Sequence, residues 1–390
     1  MEYDFDKIIV RRGTNCVKWD ECADAETIPM WVADMDFETA PCVQEAIRRR
    51  AAHGAFGYNY LPESFYRSII DWQRRRHGWE VHREWILYTI GVVPALSAII
   101  KGLTAQGDAV CFFIPAYNCF FSSVRNNDCR LVEEPLVWDA AAARYTIDFD
   151  HLEATFQRER VRLFVHCNPH NPSGRVWTSD EQKRLAELCR RYEVTIVADE
   201  IHCEFVDPDL GRPFLPFAPV AEAAGCRWVV AGAPSKAFNI AGLQMAYIIA
   251  ADEMFRQRID RAININETCD VNCFSFVALE AAYTKEGEAW LRQLVRYIYQ
   301  NNQRFRQLMQ EALPALPIAP LEGTYLAWVD VSTLTDDADA LAERIKRDEK
   351  VWVNGSGMYG GRGFLRVNLA CPRVLMEEGT RRLIRGLTST

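Results

Sequence analysis

The order of apolar and polar positions predicts a sheet in the middle of the chain. Short apolar runs rich in β-branched and aromatic residues alternate there with polar loops and with segments of helical periodicity, which indicates a parallel sheet flanked by helices. Each run is apolar on both faces, as buried parallel strands are. The predicted strands are Ile86–Ile90, Ala109–Ile114, Leu163–Cys167, Thr195–Ala198, Trp228–Ala231 and Ala246–Ala250.

The helix that follows Thr178 has the clearest pattern. Thr178 and Glu181 have the spacing of a capping box, in which each side chain bonds the other residue's backbone N–H. Leu185 and Leu188 then follow at helical spacing on one face. We therefore predict an amphipathic helix that packs its apolar face on the sheet.

The pattern changes near Lys285. A long helical stretch is followed by a proline-containing break at Pro314–Pro320 and then by short runs that predict strands at Tyr325–Val329, Val351–Val353 and Phe364–Asn368. Strands mixed with helices after such a break indicate a second, smaller α+β domain. The first 45 residues or so show no clear periodicity, and we expect them to form an arm or an extra layer.

Composition places the chain among large globular proteins. Its 390 residues are 49% hydrophobic and 25% charged, which excludes a disordered chain, a collagen and a small disulfide-stapled domain. Length alone allows two or three domains. The net charge of −8, without a long basic run, disfavours nucleic acid or an anionic membrane surface as the main partner. A small-molecule site is therefore the default expectation.

The cysteines and the amino terminus suggest where the protein resides. Thirteen cysteines are spread along the chain, an odd number without a C-x-x-C pair, which is typical of reduced thiols. The first residues are acidic where a signal peptide is basic, and no apolar stretch approaches the ~18 residues of a membrane span. We expect a cytoplasmic protein without a membrane partner.

Histidines near cysteines suggest a metal site that the local sequence disfavours. His166, His170 and His202 each lie beside or near a cysteine, as zinc ligands do. Pro169 and Pro172, however, make the stretch around the first two histidines a poor helix, so they do not share a helix face. We expect no metal.

A glycine motif near the carboxyl terminus is a second misleading pattern. Residues 355–360 fit G-x-G-x-x-G, but a dinucleotide site needs a helix that opens at the third glycine and faces the pyrophosphate. Here a further glycine-rich turn and a predicted strand follow. We expect no nicotinamide dinucleotide.

Polar residues that suit catalysis follow three of the predicted strands. Asn171 comes after Leu163–Cys167, Asp199 directly after Thr195–Ala198, and Lys236 after the run that ends at Ala231. Taken alone, they are explained as a turn asparagine, a helix cap and a surface lysine. Ligands of open α/β sheets bind outside the carboxyl ends of strands, so the three together indicate one crevice.

An amide, a carboxylate and a lysine in one crevice suit pyridoxal phosphate. Its aldehyde needs a lysine for a Schiff base, its ring nitrogen an acidic partner, and its phenolic oxygen a donor such as Asn171. Its phosphate needs backbone N–H groups at the start of a helix. Gly91-Val92-Val93-Pro94 follows a strand and opens a helix, with proline tolerated in the first turn.

Several motifs along nearly the whole chain resemble one family. They are Trp31-Val32-Ala33-Asp34-Met35-Asp36-Phe37, Phe56-Gly57-Tyr58, Pro115-Ala116-Tyr117, Asn168-Pro169-His170-Asn171-Pro172-Ser173-Gly174, Asp199-Glu200-Ile201-His202, Ser235-Lys236-Ala237-Phe238-Asn239 and Arg362-Gly363-Phe364-Leu365-Arg366-Val367-Asn368. The chain is similar to the fold-type I pyridoxal-phosphate enzymes, aminotransferase class I/II. Within that superfamily it resembles the cystathionine β-lyase, or C–S lyase, branch of MalY/PatB type.

The resemblance implies a fold and a domain division. The fold is α/β, the type I fold of pyridoxal-phosphate-dependent transferases, with a mainly parallel sheet flanked by helices. Residues 51–284 are then the large cofactor-binding domain, whereas residues 1–50 and 285–390 are the N-terminal arm and the small C-terminal domain.

The resemblance also implies a role for each site residue. Lys236, Tyr58 and Tyr117 are the expected catalytic residues, and Arg366, Ala33 and Asn171 are expected to bind the substrate, Arg366 through its carboxylate. The expected cofactor-binding residues are Lys236, Asp199, Asn171, Tyr117, His202, Ser235, Val92, Val93 and Tyr58. Tyr58 is expected to reach the site from a neighbouring subunit, so the functional unit is a homodimer.

The chain departs from the wider family at two places near the lysine. Aminotransferases commonly have a phosphate-binding arginine eight residues after the lysine, where this chain has Gln244. Ala233 and Pro234 stand where small hydroxyl or glycine residues are usual, which removes one hydroxyl donor and one N–H. We therefore expect the phosphate to depend on helix N–H groups, Ser235 and Tyr58.

The leading hypothesis for function is β-elimination from L-cystathionine or a related cysteine S-conjugate, giving a thiol, pyruvate and ammonia. An aminotransferase on the same scaffold is the alternative, because the same residues serve both reactions. A second alternative is a regulatory or interaction protein that retains bound cofactor. The sequence does not identify the preferred sulfur amino acid.

Overall fold

A seven-stranded sheet forms the centre of the molecule. The structure, a computed structural model, describes residues 2–389. Within that range the strands of the central sheet lie in the spatial order Ile86–Thr89, Ala246–Ile249, Trp228–Gly232, Thr195–Asp199, Val161–Cys167, Ala109–Ile114 and Arg130–Pro135. The last five of these are mutually parallel, whereas Ala246–Ile249 runs antiparallel to both of its neighbours.

The six predicted strands are confirmed, with ends that differ by at most two residues. The predicted α/β fold with a mainly parallel sheet is also confirmed, and Ala246–Ile249 is its antiparallel member. The edge strand Arg130–Pro135 was missed. Its residues Arg130, Glu133 and Pro135 are exposed, and charges and proline are how edge strands avoid pairing with other chains. They also remove the apolar run that identifies a buried strand.

Helices cover both faces of the sheet, and alternate strand residues enter two different cores. Val110 and Phe112 belong to the core beneath helix Val92–Leu103, whereas Cys111 and Phe113 belong to the core on the other face. This alternation follows from the two-residue period of a strand. The helices are Val17–Asp20, Pro41–Ala52, Glu63–His77, Val92–Leu103, Asn118–Arg125, Phe149–Glu159, Ser179–Arg191, Phe217–Ala224, Glu253–Ile265, Ser275–Ala282, Lys285–Ala312, Ala338–Glu349 and Arg373–Thr388.

The local signals in the sequence act as expected. Helix Ser179–Arg191 begins after Thr178, whose side chain accepts the Glu181 N–H while the Glu181 carboxylate accepts the Thr178 N–H. The glycine motif at residues 355–360 forms a short strand and a 3₁₀ turn, Gly357–Tyr359, before strand Phe364–Asn368 begins. No α-helix begins within residues 355–368, so this segment lacks the α-helix start that a pyrophosphate site needs.

A second sheet lies in the carboxyl-terminal region. Its strands are in the order Leu326–Asp330, Phe364–Asn368 and Asn354–Gly355, all antiparallel. The amino-terminal segment joins this region, because Ile28–Pro29 pairs with Val351–Trp352. A hairpin of Val137–Asp139 and Arg144–Thr146 completes the strands, and 3₁₀ helices span Arg83–Trp85 and Ala241–Leu243. The division at residues 51–284 stays a prediction.

A helix that crosses a membrane must be long and mainly apolar. In the part of the chain that the structure describes, we find no helix with both the length and the apolar character to cross a bilayer.

Candidate active site

The three polar residues that follow predicted strands meet at one cavity. Asp199 ends its strand, and the loops that follow Val161–Cys167 and Trp228–Gly232 bring Asn171 and Lys236 to the same edge of the sheet. The cavity has a volume of about 190 Å³. Its lining is Ala33, Ile90, Gly91, Val92, Val93, Pro94, Tyr117, Cys167, Asn171, Asp199, Ile201, His202, Ser235, Lys236, Ala241 and Met245. All expected site residues except Arg366 and Tyr58 therefore line it.

The amine of Lys236 lies at the centre of this arrangement. Its Nζ donates a hydrogen bond of 2.5 Å to the carbonyl oxygen of Ala33. Burial and, to a smaller extent, the charge of Arg366 lower the pKa of Lys236, whereas Asp34 and Asp199 oppose the shift, and the resulting pKa is about 8. Desolvation disfavours an ammonium ion, so the neutral amine is available at lower pH than in an ordinary lysine.

Two adjacent carboxyl groups, Asp199 at the end of its strand and Glu200 directly after it, have different surroundings. Asp199 faces the cavity and accepts the Ile201 N–H at 3.1 Å. Burial raises the pKa of Asp199 to about 6, although the hydrogen bond from Ile201 and the charge of Lys236 act in the opposite direction. Glu200 accepts the Phe217 N–H at 2.8 Å, and burial raises its pKa to about 8. The carboxyl group at the cavity is therefore the more readily ionised of the two.

Arg366 is buried beside the cavity, where it bonds the lining residue Asn171. It is 4% exposed, and its guanidinium lies 4.6 Å from the centre of the Tyr359 ring. It donates to Asn171 Oδ1 at 3.2 Å and to the Trp31 carbonyl at 2.7 Å. Among residues 2–389 its Nε has no hydrogen-bond partner. A buried cation with a free donor suits an anionic ligand such as a carboxylate.

Tyr117 and His202 supply two rings to the cavity. Burial raises the pKa of Tyr117, so its phenol remains protonated. Burial also lowers the pKa of His202 to about 3, with further lowering by Lys236 and Arg366, so this imidazole is neutral. Its Nδ1 is buried and has no hydrogen-bond partner within the described residues.

The amino terminus of helix Val92–Leu103 opens onto the cavity. The first N–H groups of a helix have no partner within it, and here the first bond of the helix runs from Ala95 to Gly91. Because Pro94 has no N–H, Val92 and Val93 carry the free donors. Gln244 lies outside the lining with its side chain exposed, although Ala241 and Met245 belong to it. It therefore does not replace the absent arginine.

Three residues that sequence reasoning missed hold the backbone of residues 31–37, which we call the strap. Tyr325 donates to the Ala33 carbonyl at 3.0 Å. Asn368 and Asn239 bond other peptide groups of the strap. Each asparagine lies in a motif that carried the family resemblance, Asn368 two residues after Arg366 and Asn239 three after Lys236. Their nearness to Arg366 and Lys236 was the one signal in the sequence that could have indicated a role at the site.

A buried ion cluster anchors the far end of the strap. Asp36, 3% exposed, bonds Lys18 and Arg11, each at 2.7 Å, and the Trp19 indole at 2.8 Å. Burial alone would raise the pKa of Asp36, but Lys18, Trp19 and Arg11 together lower it. Arg11 also bonds Asp34. The N-terminal segment is thereby attached to the strap through charge.

Among the described residues, His166, His170 and His202 do not belong to any group of three or more side chains whose possible metal-ligand atoms lie close together. His166 packs against Trp177 and Phe217 with both ring nitrogens unbonded within the described residues, and burial lowers its pKa to about 3. His170 bonds Ser173 at 2.7 Å.

A different group, His77, Cys203 and Glu204, does bring possible ligand atoms within 4.8 Å of one another. The Glu204 carboxylate, however, already accepts bonds from Trp72, Arg76 and His77. Burial raises the pKa of Glu204, but His77 and Arg76 outweigh burial and bring it to about 2. This is an ion-pair network with a cation in place.

The segment that contains Tyr58 projects from the chain. Tyr58 is 97% exposed, and Phe56 and Tyr60 beside it are exposed as well. Tyr58 does not line the cavity of its own chain. Large exposed apolar side chains grouped in one segment are typical of an interaction surface.

The groups at the cavity fit pyridoxal phosphate by their chemistry. A lysine amine with a lowered pKa suits the aldehyde, and a buried carboxylate suits the ring nitrogen. Free N–H groups at a helix start suit the phosphate. The buried Arg366 Nε and His202 Nδ1, both without a partner within residues 2–389, are the kind of orphaned polar atoms that a polar ligand satisfies.

Comparison with known proteins agrees with this chemistry. The family model "Aminotransferase class I and II" matches residues 26–383. Cystathionine β-lyase PatB of Bacillus subtilis is 37% identical over 97% of this chain and 98% of its own length. The protein MalY of Escherichia coli is 33% identical over 99% of both chains. The solved structure of the PLP-bound C–S lyase from Staphylococcus hominis is 31% identical, covers 100% of both chains and has a TM-score of 0.91.

Proposed function

The chain belongs to the aminotransferase class I and II family, and we propose that it is a pyridoxal-phosphate-dependent carbon–sulfur lyase acting on L-cystathionine or related cysteine S-conjugates. The observation that carries the proposal is the convergence of the Lys236 amine, the Asp199 carboxylate and the buried Arg366 on one cavity. The choice of a lyase is supported by the full-length relatives, which are named cystathionine β-lyase and C–S lyase.

The residues of the cavity would hold the cofactor by separate groups. Lys236 would bond its aldehyde carbon, Asp199 would pair with its ring nitrogen, and Asn171 would donate to its phenolic oxygen. Tyr117 and His202 would contact the ring. The phosphate would be held by the N–H groups of Val92 and Val93, by Ser235 and by Tyr58 of a second subunit. When bound, pyridoxal phosphate supplies an electron sink for a carbanion at the substrate Cα.

Arg366 is the residue that orients the substrate. Its guanidinium is planar, and a two-pronged bond to the substrate carboxylate would engage donors that now contact Asn171 and the Trp31 carbonyl. A lysine at this position would lack the fork geometry. With the carboxylate fixed there and Ala33 on the same side, the Cα–H bond is presented to Lys236.

Lys236 is the base of the reaction. Once the substrate amino group has displaced it from the aldehyde carbon, its neutral amine would take the proton from Cα. The bond between Cβ and sulfur would then break, with its electron pair leaving on sulfur as a thiolate. The three-carbon fragment that remains is released and hydrolysed to pyruvate and ammonia. A pKa of about 8 allows the amine to be partly neutral near pH 7 and still to return a proton.

We further propose that two chains make the complete site. Tyr58 is 97% exposed and does not line the cavity of its own chain, and among the described residues no arginine lines the cavity to hold the phosphate. A tyrosine from a second copy would supply the missing donor. Homodimers are the commonest symmetric assemblies, and a twofold axis would complete both sites at once.

The test is to incubate the purified holoenzyme with L-cystathionine and no keto acid. We expect pyruvate and a thiol to appear together. Lys236→Ala should abolish both this turnover and the visible absorption of the bound cofactor, whereas Lys183→Ala, a 61% exposed lysine on helix Ser179–Arg191, should change neither. Turnover that requires an added keto acid would instead identify an aminotransferase.

A further inference from the structure

The strap has an unusual hydrogen-bond pattern. Loop carbonyls commonly bond backbone groups or water, but six carbonyls of the strap accept bonds from side chains that lie elsewhere in the chain. The donors are Asn354 and Arg366 to Trp31, Asn368 to Val32, Lys236 and Tyr325 to Ala33, Asn368 and Lys18 to Asp34, Arg11 and Asn239 to Met35, and Asn239 to Phe37. Two of these donors, Lys236 and Arg366, are the groups to which we assign the chemistry.

Asn368 holds the strap on both sides of Ala33. Its amide donates to the carbonyls of Val32 and Asp34, both at 2.6 Å, and its oxygen accepts the Ala370 N–H at 2.8 Å. The side chain is 1% exposed. Because both N–H groups and the oxygen are engaged, the amide is fixed in one orientation. The peptide groups that flank Ala33 are fixed with it, and so is the Ala33 carbonyl that Lys236 contacts.

Asn239 holds the next part of the strap. Its oxygen accepts the Met35 N–H at 3.0 Å, and its amide donates to the carbonyls of Met35 and Phe37 at 2.7 and 2.8 Å. Its backbone is in the left-handed region, with φ of 54°, which asparagine tolerates better than most residues. Its place in the turn after Lys236 links the lysine and the strap a second time.

We propose that Asn368 and Asn239 are positioning residues, which fix the strap so that the Ala33 carbonyl holds the Lys236 amine and the Trp31 carbonyl holds Arg366. The proposal rests on the proposed function. It means that the Ala33 carbonyl accepts a hydrogen bond from the Lys236 amine whenever that amine is not bonded to the cofactor. The base and the carboxylate-binding group are then held by one short segment. The separation of the two is set by that segment's backbone.

The experiment removes the side-chain amide of Asn368 or Asn239 without adding a charge, and includes a matched control. In the holoenzyme, Asn368→Ala and Asn239→Gly are compared with Asn127→Ala, whose amide also donates two bonds, to Ser97 and Ser123, but does not contact the strap. Glycine at position 239 keeps the left-handed backbone. The measurement is exchange of the Cα proton of L-alanine for deuterium in D₂O, followed by NMR, together with kcat and KM for L-cystathionine.

We expect exchange to slow by about tenfold to a hundredfold in the two strap variants, because small displacements of a catalytic group have effects of that size. The pH at which the exchange rate is half-maximal should also fall, since a carbonyl that accepts from the ammonium form favours that form. KM for L-cystathionine should rise as well, because Arg366 loses its fixed place. Asn127→Ala should remain within about twofold of the parent protein.

Folded strap variants with the parent's exchange rate and pH midpoint would overturn the proposal, even if their thermal stability had fallen. If Asn368→Ala does not fold, Asn239→Gly tests the proposal by itself. That variant should fold because position 239 is half-buried and glycine preserves its backbone conformation. L-Alanine has no leaving group at Cβ, so its exchange reports removal of the Cα proton separately from the elimination step. A chain that exchanges the proton but releases no pyruvate from L-cystathionine would refute the proposed function and leave this inference intact.

Discussion

At the scale of single residues, the site depends on how burial acts on groups that are ordinary elsewhere. Lys236 is an amine whose pKa is lowered by burial and by Arg366, and only partly restored by Asp34 and Asp199. Asp199 has its pKa raised by the same desolvation. Groups in a cleft whose pKa is shifted by burial and by a charged neighbour are typical of functional sites.

The lowered pKa of Lys236 predicts a distinctive pH dependence of its reactivity. In the cofactor-free protein, the rate at which a small neutral acylating reagent modifies Lys236 should rise with pH and level off above about 8, because only the neutral amine reacts. Peptide mass spectrometry gives this rate.

A short unstructured peptide with a single lysine, added to the same sample, serves as internal reference, and its rate should continue to rise toward about pH 10. Arg366→Gln should move the Lys236 midpoint upward, since it removes a neighbouring positive charge. Identical profiles for Lys236 and the reference peptide would contradict the assignment.

At the scale of elements, the junction between strand Ile86–Thr89 and helix Val92–Leu103 forms the candidate phosphate site. The helix dipole and the free N–H groups of its first turn favour an anion at this end. The helix is held in place by close packing on helix Glu253–Ile265, where a Cβ on Gly102 would meet the Arg258 carbonyl at 3.0 Å. The position of the N–H groups is therefore set by packing far from the cavity.

Val92→Pro tests the contribution of one of these donors. Position 92 is the first of the helix, where proline is favoured, and the extended backbone at Gly91 is compatible with a following proline. The variant should fold but bind pyridoxal phosphate about tenfold more weakly or worse, because a charge-assisted hydrogen bond is lost. Affinity is measured by titrating the cofactor-free protein.

Two comparisons separate this effect from a general effect of proline. Ser179→Pro places proline at the first position of a helix away from the cavity and should leave the affinity unchanged. Binding of pyridoxal, which has no phosphate, should be the same in Val92→Pro and the parent protein. Equal weakening for both ligands would show that the helix start does not bind the phosphate.

At the scale of the whole molecule, a single chain exposes an aromatic segment that does not reach its own cavity. Phe56, Tyr58 and Tyr60 lie on the surface of the single chain, at 54%, 97% and 84% exposure. Exposing three large rings is unfavourable in water, and a second copy would cover them. The proposed dimer thus accounts for the exposed rings and for the phosphate donor that Gln244 does not supply.

Subunit complementation tests whether Tyr58 of one subunit completes the active site of the other. Tyr58→Ala and Lys236→Ala homodimers should each have little activity. After mixing, unfolding and refolding in equal amounts, about a quarter of the parent activity should return, because half of the dimers are mixed and each of these has one intact site. Pyruvate release from L-cystathionine measures it.

Tyr60→Ala, mixed with Lys236→Ala in the same way, controls for changes in the neighbouring surface. No recovery in the Tyr58 mixture would mean that Tyr58 acts in its own subunit or in neither.

The sequence by itself determined the features that depend on local pattern. Apolar runs identified six of the seven central strands, and the Thr178–Glu181 spacing identified a capped helix. Strand-end positions indicated that Asn171, Asp199 and Lys236 lie at one cavity. The edge strand Arg130–Pro135 was missed because its exposed charges break the apolar run. These signals are local because periodicity and capping act over a few residues.

Only the tertiary structure decided how the strap is held. Ala33 and Lys236 are 203 residues apart, and Trp31 and Arg366 are 335 apart, so no local pattern relates them. The burial of Arg366 and the lowered pKa of Lys236 likewise arise from packing between distant segments. Desolvation and side-chain bonds to distant peptide groups exist only once the chain has folded, which is the physical reason that the sequence named the reactive groups but not what holds them in place.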